Sequence, residues 1–119
     1  MLCEEKDQMK FSKQRFDVYI ASCCKDGGVY HYHLQGEELV FVDKTQMDQP
    51  MYLTPYNDLM YIPLREPFKN SKESGMAICP IHLGRVQQPK EILPTRGKIC
   101  CHEVVDGSTV YAVNYLSGN

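Results

Sequence analysis

Two segments of the sequence carry side chains able to move a proton or hold an anion. One is Cys100-Cys101-His102 with Asn114-Tyr115 further on, and the other is Tyr52 with Arg65-Glu66. His102 offers a general base that could activate a water. Arg65 and Asn114 offer donors for a phosphate, a carboxylate or an oxyanion, and Tyr115 adds a further binding group. If Asp106-Gly107 closes a hairpin, His102 lies across from Tyr111 to Val113, and Asn114 and Tyr115 share its end of the sheet. The same construction around Asn57-Asp58 brings Pro50-Met51-Tyr52 opposite Pro63-Leu64-Arg65. The competing reading of His102 is a packed or hydrogen-bonded residue at a strand start.

A second constellation collects zinc-ligand types: Cys23-Cys24, Cys79-Pro80-Ile81-His82 and Cys100-Cys101-His102. Its spacing argues against a metal site, because adjacent strand residues point to opposite faces and no pair of Cys-x-x-Cys knuckles exists. Reduced thiols filling small core positions are the expectation. His31 and His33 alternate with Tyr30 and Tyr32, so both imidazoles face one side. That side reads as a solvated face rather than a ligand pair. Gly27-Gly28 and Ser117-Gly118 lead into no helix, which removes the usual phosphate cradle and with it nucleotide binding.

The elements that must position these groups belong to a chain of 119 residues, 43% hydrophobic and 24% charged, which is room for one ordinary domain. Thirteen Lys and Arg against fifteen Asp and Glu leave a net charge of −2, too little field to gather nucleic acid or an anionic membrane. The charged opening Met1-Leu2-Cys3-Glu4-Glu5-Lys6-Asp7 lacks the apolar run of a signal peptide, and no stretch of about eighteen apolar residues follows. A cytoplasmic protein with free cysteines is expected.

Residues 1–16 read as a weakly helical or disordered leader, and residues 17–119 as the folded portion. From Asp17 onward, runs rich in Val, Ile and Tyr are mostly bounded by Gly, Asn, Asp or Pro. Nine strands are predicted: 18–22, 29–34, 39–45, 51–56, 59–64, 76–82, 89–95, 99–105 and 109–116. They leave no room for crossover helices, so neighbours pair antiparallel. Lys69 to Gly75 lacks an apolar anchor and reads as an exposed connection.

The runs repeat. A shift of fifty residues lays Met51 to Ile62 over Cys101 to Ala112 without a gap. A shift of forty-two puts Val18-Tyr19-Ile20 on Met60-Tyr61-Ile62, and one of forty-seven puts Gly28 on Gly75. A unit of about forty to fifty residues with four antiparallel strands has the period of a β-propeller blade.

The stretches Tyr19-Ile20-Ala21-Ser22 and Lys25 to Tyr32 resemble the amino-terminal part of the propeller lactonase family, and its bacterial 6-phosphogluconolactonase-like members in particular. The most specific portion is Cys101-His102-Glu103-Val104-Val105-Asp106 with Val110-Tyr111-Ala112-Val113-Asn114-Tyr115-Leu116-Ser117-Gly118. Coverage runs from about residue 17 to the end. The resemblance implies an all-β fold of antiparallel four-stranded blades, about two and a quarter blades of a seven-bladed lactonase propeller. It implies a fragment of a hydrolase opening a sugar lactone such as 6-phosphogluconolactone, with no cofactor or metal. The His of the Cys-His pair and the Asn-Tyr pair match the family pattern, whereas the family's other acid/base and arginine positions lie mostly in later blades. The alternative is a non-catalytic fragment or interaction module that self-associates through open blade edges.

Overall fold

The computed structural model describes residues 14–119, so most of the expected leader lies outside the described residues. Ten strands and no helix occur within that range: β1 (Arg15–Ser22), β2 (Gly28–Gln35), β3 (Glu38–Gln46), β4 (Thr54–Tyr56), β5 (Leu59–Leu64), β6 (Gly75–His82), β7 (Arg85–Val86), β8 (Glu91–Pro94), β9 (Cys100–Asp106) and β10 (Thr109–Asn114). No helix among the described residues is long and apolar enough to cross a membrane. The chain is all-β, and its strands pair antiparallel in three sheets that follow one another in sequence. The first is β1-β2-β3. The second runs β4-β5-β6, with β7 and β8 both on the far side of β6, and the third is the β9–β10 hairpin.

Turn chemistry sets the hairpins. Gly36, Asn57 and Gly107 each open a two-residue turn with φ of 61°, 54° and 60°, a backbone region that Gly and Asn enter at least cost. The last turn is Gly107-Ser108, one residue later than expected, because Asp106 still pairs with Thr109.

The repeats of the sequence reappear as repeats of register. Thr54↔Tyr61 in β4–β5 corresponds to Val104↔Tyr111 in β9–β10, each partner displaced by fifty residues. Ser22↔Gly28 in β1–β2 corresponds to Leu64↔Gly75 in β5–β6. Gly28 and Gly75 each open a strand where no side chain fits. A Cβ on Gly28 would collide with the Thr45 carbonyl, and one on Gly75 would lie 2.7 Å from both Ile92 and Pro67.

The core lies between the first two sheets. Alternation turns Met60, Ile62 and Leu64 of β5 to one side, where they meet Cys79, Ala77 and Gly75 of β6 as cross-strand pairs. Val29 from the first sheet, Met47 just after β3 and Val86 from β7 complete this cluster, and Tyr19 packs against its edge. Each large apolar side chain buried here stabilises the fold by about 1.5–3 kcal/mol. The opposite face of the middle sheet presents Tyr61, Met76 and Ile78 toward Val110 and Ala112 of β10, around a space of about 350 Å³.

Four local expectations are corrected. Arg15 and Phe16 belong to β1 rather than to the leader. Of the 51–56 strand, the regular ladder covers only Thr54–Tyr56, and Pro50 makes an isolated bridge to Leu64. The 89–95 strand starts at Glu91, and the two-residue β7, too short to carry a pattern, precedes it. The Lys69–Gly75 connection ends in the fully buried Ser74. Ser74 Oγ donates to the Arg65 carbonyl and accepts from the Cys100 amide, each at 3.0 Å, while Ser74 N donates to Gly97 O at 2.8 Å. One hydroxyl thus ties the segment after β5 to the start of β9.

Candidate functional site

The register places His102 opposite Val113 and Asn114 opposite Cys100, with an irregularity between Val113 and Asn114. The hairpin end expected from the sequence is therefore formed. His102 is exposed and its ring lies against Tyr52, with centroids 4.6 Å apart and planes tilted by 55°. Tyr52 and His102 occupy equivalent places in the fifty-residue repeat. The Tyr56 hydroxyl joins the same two sheets a second time by accepting from the Gly107 amide at 3.2 Å.

The remaining candidates diverge. Asn114 is buried, and its amide is engaged on both sides: Nδ2 donates to the Thr95 carbonyl at 3.1 Å, and Oδ1 accepts from the Thr95 hydroxyl at 2.9 Å. It packs directly beneath Gly97, where a Cβ would collide with it. Tyr115 is 73% exposed and is fixed through its backbone amide, which donates to Ile99 O. Arg65 is exposed, its amide donates to Gln49 O, and its guanidinium lies within Coulombic reach of the Cys23 thiol. Among the described residues, no hydrogen bond or ion pair joins Arg65 to His102, Asn114 or Tyr115. Beside Gly97 opens a cleft of about 570 Å³ whose wall includes Lys72, Arg96 and Lys98 against the single carboxylate of Glu73. Its excess of cations suits an anionic ligand.

Beside His102, on the opposite face of β9, stands Glu103, 2% exposed. Burial pushes its carboxyl up to about 7. The side chain of Thr54 on β4 pulls the other way, but no hydrogen bond of ordinary geometry reaches either carboxylate oxygen. Buried carboxyls with raised pKa mark sites able to exchange protons near neutrality. The sequence hints at Glu103 only through its place next to His102.

All five cysteines among the described residues are free. Cys79 and Cys100 are buried as expected, and burial pushes their thiols up to about 12 and about 11. Cys23 and Cys24 depart from the core-filling expectation, since both are exposed.

The first sheet holds a cluster that sequence reasoning placed on a solvated face. His31 is instead 2% exposed. Asp17 pairs with His33 and Tyr19 with His31 across β1–β2, and Asp43 pairs with His31 across β2–β3, so all five side chains share one face. Asp17 Oδ1 lies 2.7 Å from His31 Nε2 and 3.4 Å from His33 Nε2. Tyr19 stacks on the His31 ring at 4.7 Å, and its hydroxyl donates to the Gly84 carbonyl in the β6–β7 turn, which closes over the cluster. Packing of the first sheet on the second buries His31, a fact that strand alternation alone cannot supply.

Compared with protein-family models, curated proteins and solved structures, the chain matches none.

Proposed function

We propose that the chain is a section of a propeller lactonase, opening a sugar lactone such as 6-phosphogluconolactone, with His102 as the base. The observation that carries this reading is the tilted ring contact of Tyr52 with His102. Inner strands of successive propeller blades surround a central channel, so equivalent positions of neighbouring blades lie side by side at its mouth. The grouping of strands supports the same reading, with β1-β2-β3 as the end of one blade, β4-β5-β6-β8 as a four-stranded blade to which the two-residue β7 is an addition, and β9–β10 as the start of a third.

In this mechanism His102 takes a proton from a water whose oxygen bonds to the lactone carbonyl carbon. The ring C–O bond then breaks, and the proton passes to the departing ring oxygen, giving the hydroxy acid. Arg65 and Tyr115, both exposed, contact the anionic substrate, while Asn114 acts as a positioning residue through Thr95 and Gly97. Acid release from 6-phosphogluconolactone at constant pH tests the proposal. His102→Ala should slow release by about a hundredfold or more. An unchanged rate in that variant removes the role of His102, and release no faster than in buffer removes the activity.

A specific observation also favours a non-catalytic interaction module. Leu39, Val40 and Phe41 on β3, and Val104, Tyr111 and Val113 on the β9–β10 hairpin, are each more than half exposed. Apolar groups gathered on outer sheets favour self-association. A concentration-dependent oligomer in size-exclusion chromatography, combined with no lactone hydrolysis, would favour this second reading.

A further inference from the structure

The geometry points to a binding site for a divalent first-row transition metal of the zinc class, ligated by Asp17, His31 and His33. This site stands on the first sheet and does not depend on the lactonase reading.

Three ligand atoms, one from each residue, lie within 4.8 Å of one another. Zinc bonds of about 2.0–2.1 Å in a tetrahedron set ligand atoms about 3.3 Å apart. Asp17 Oδ1 lies 2.7 Å from His31 Nε2, in a hydrogen bond whose proton a metal would displace, and 3.4 Å from His33 Nε2, and these separations bracket that spacing. Two imidazoles and one carboxylate suit zinc, iron, cobalt or nickel rather than magnesium or calcium, which take oxygen ligands. Three protein ligands leave a fourth position for water or an exogenous group.

The second observation lies behind the ligands. His31 Nδ1 is buried without a hydrogen-bond partner, and it faces Asp43 Oδ1, likewise unpartnered, across 3.8 Å. A carboxylate behind a ligating imidazole fixes the tautomer that leaves Nε2 free for a metal and raises its basicity. Arg85 Nε lies 3.8 Å from the other oxygen of Asp43, which holds that carboxylate in place. Tyr19 stacked on His31 fixes the ring plane. His33, by contrast, is partly open, with its side chain 27% exposed, and gives solvent a route to the cluster.

Titration of the metal-free chain with Zn²⁺ and with Co²⁺ tests the site, using a Cys23→Ser/Cys24→Ser background so that exposed thiols do not contribute. One equivalent should bind, with the visible absorption of low-symmetry Co²⁺. His33→Gln and Asp17→Asn should each weaken binding at least tenfold, with unchanged far-ultraviolet circular dichroism. Asp43→Asn should weaken it about tenfold through the ring it backs. The proposal is overturned by any of three results: no saturable binding, equal affinity in the His33→Gln and Asp17→Asn variants, or Mg²⁺ binding as tight as Zn²⁺.

Discussion

The rings of Tyr52 and His102 meet in a tilted contact with centroids 4.6 Å apart, although one precedes β4 in the middle sheet and the other lies on β9 in the third. Stacked or tilted aromatic pairs contribute about 0.5–1.5 kcal/mol beyond their area. Tyr52→Ala and His102→Ala should therefore be non-additive in urea unfolding. The double variant is expected to be less destabilised than the two single losses together, by about 1 kcal/mol. Strict additivity would mean that the rings do not interact in solution.

Glu103 gives stability a definite dependence on pH. Its folded pKa of about 7 exceeds the ordinary 4.5, so between those values the folded state binds more protons than the unfolded state. Stability should then fall as pH rises through this window, by up to about 3 kcal/mol for a shift of this size. Glu103→Gln should flatten the profile and raise stability at pH 8, as read by denaturant midpoints at pH 5 and pH 8.

Gly28 and Gly75 should respond alike to the same insult. Alanine at Gly28 meets the Thr45 carbonyl of the neighbouring strand, and alanine at Gly75 meets Ile92 and Pro67. Each substitution is expected to cost about 1–3 kcal/mol through overpacking. Thermal unfolding of the two variants checks this, and a neutral effect at either position would separate the two strand openings physically.

Thiol reactivity should sort the cysteines by burial. Cys23 and Cys24 are expected to react with an aromatic disulfide reagent in the native protein at pH 8, Cys23 slowed by the partial burial that raises its thiol, whereas Cys79 and Cys100 should react only on unfolding. Rapid labelling of Cys79 in the native protein would contradict a core in which that residue is wholly covered.

Much of the local structure was legible in the sequence because strands and tight turns carry short-range signals. The alternation Met60, Ile62, Leu64 marks a buried face, and Asn57 before Asp58 marks a positive-φ turn. The fifty-residue shift foretells both the register of β9–β10 and the equivalence of Tyr52 with His102. Two-residue β7 had no such signal. Ser74 was misread because its burial comes from hydrogen bonds to Arg65, Gly97 and Cys100, none of which leaves an apolar trace in the local sequence.

By itself the sequence determined an all-β chain, its antiparallel order and the hairpin end on which His102, Asn114 and Tyr115 sit. Tertiary structure alone decided which of those side chains remain available. It buries Asn114 against Thr95, leaves His102 exposed against Tyr52, and isolates Glu103 from hydrogen-bond partners. It also turns the His31 face inward, bringing two imidazoles onto one oxygen of Asp17. The physical reason is that pairing within a sheet follows period and turn, which neighbouring residues encode. Burial of a sheet face depends on which other sheet packs against it, and that is settled by contacts between residues far apart in the chain.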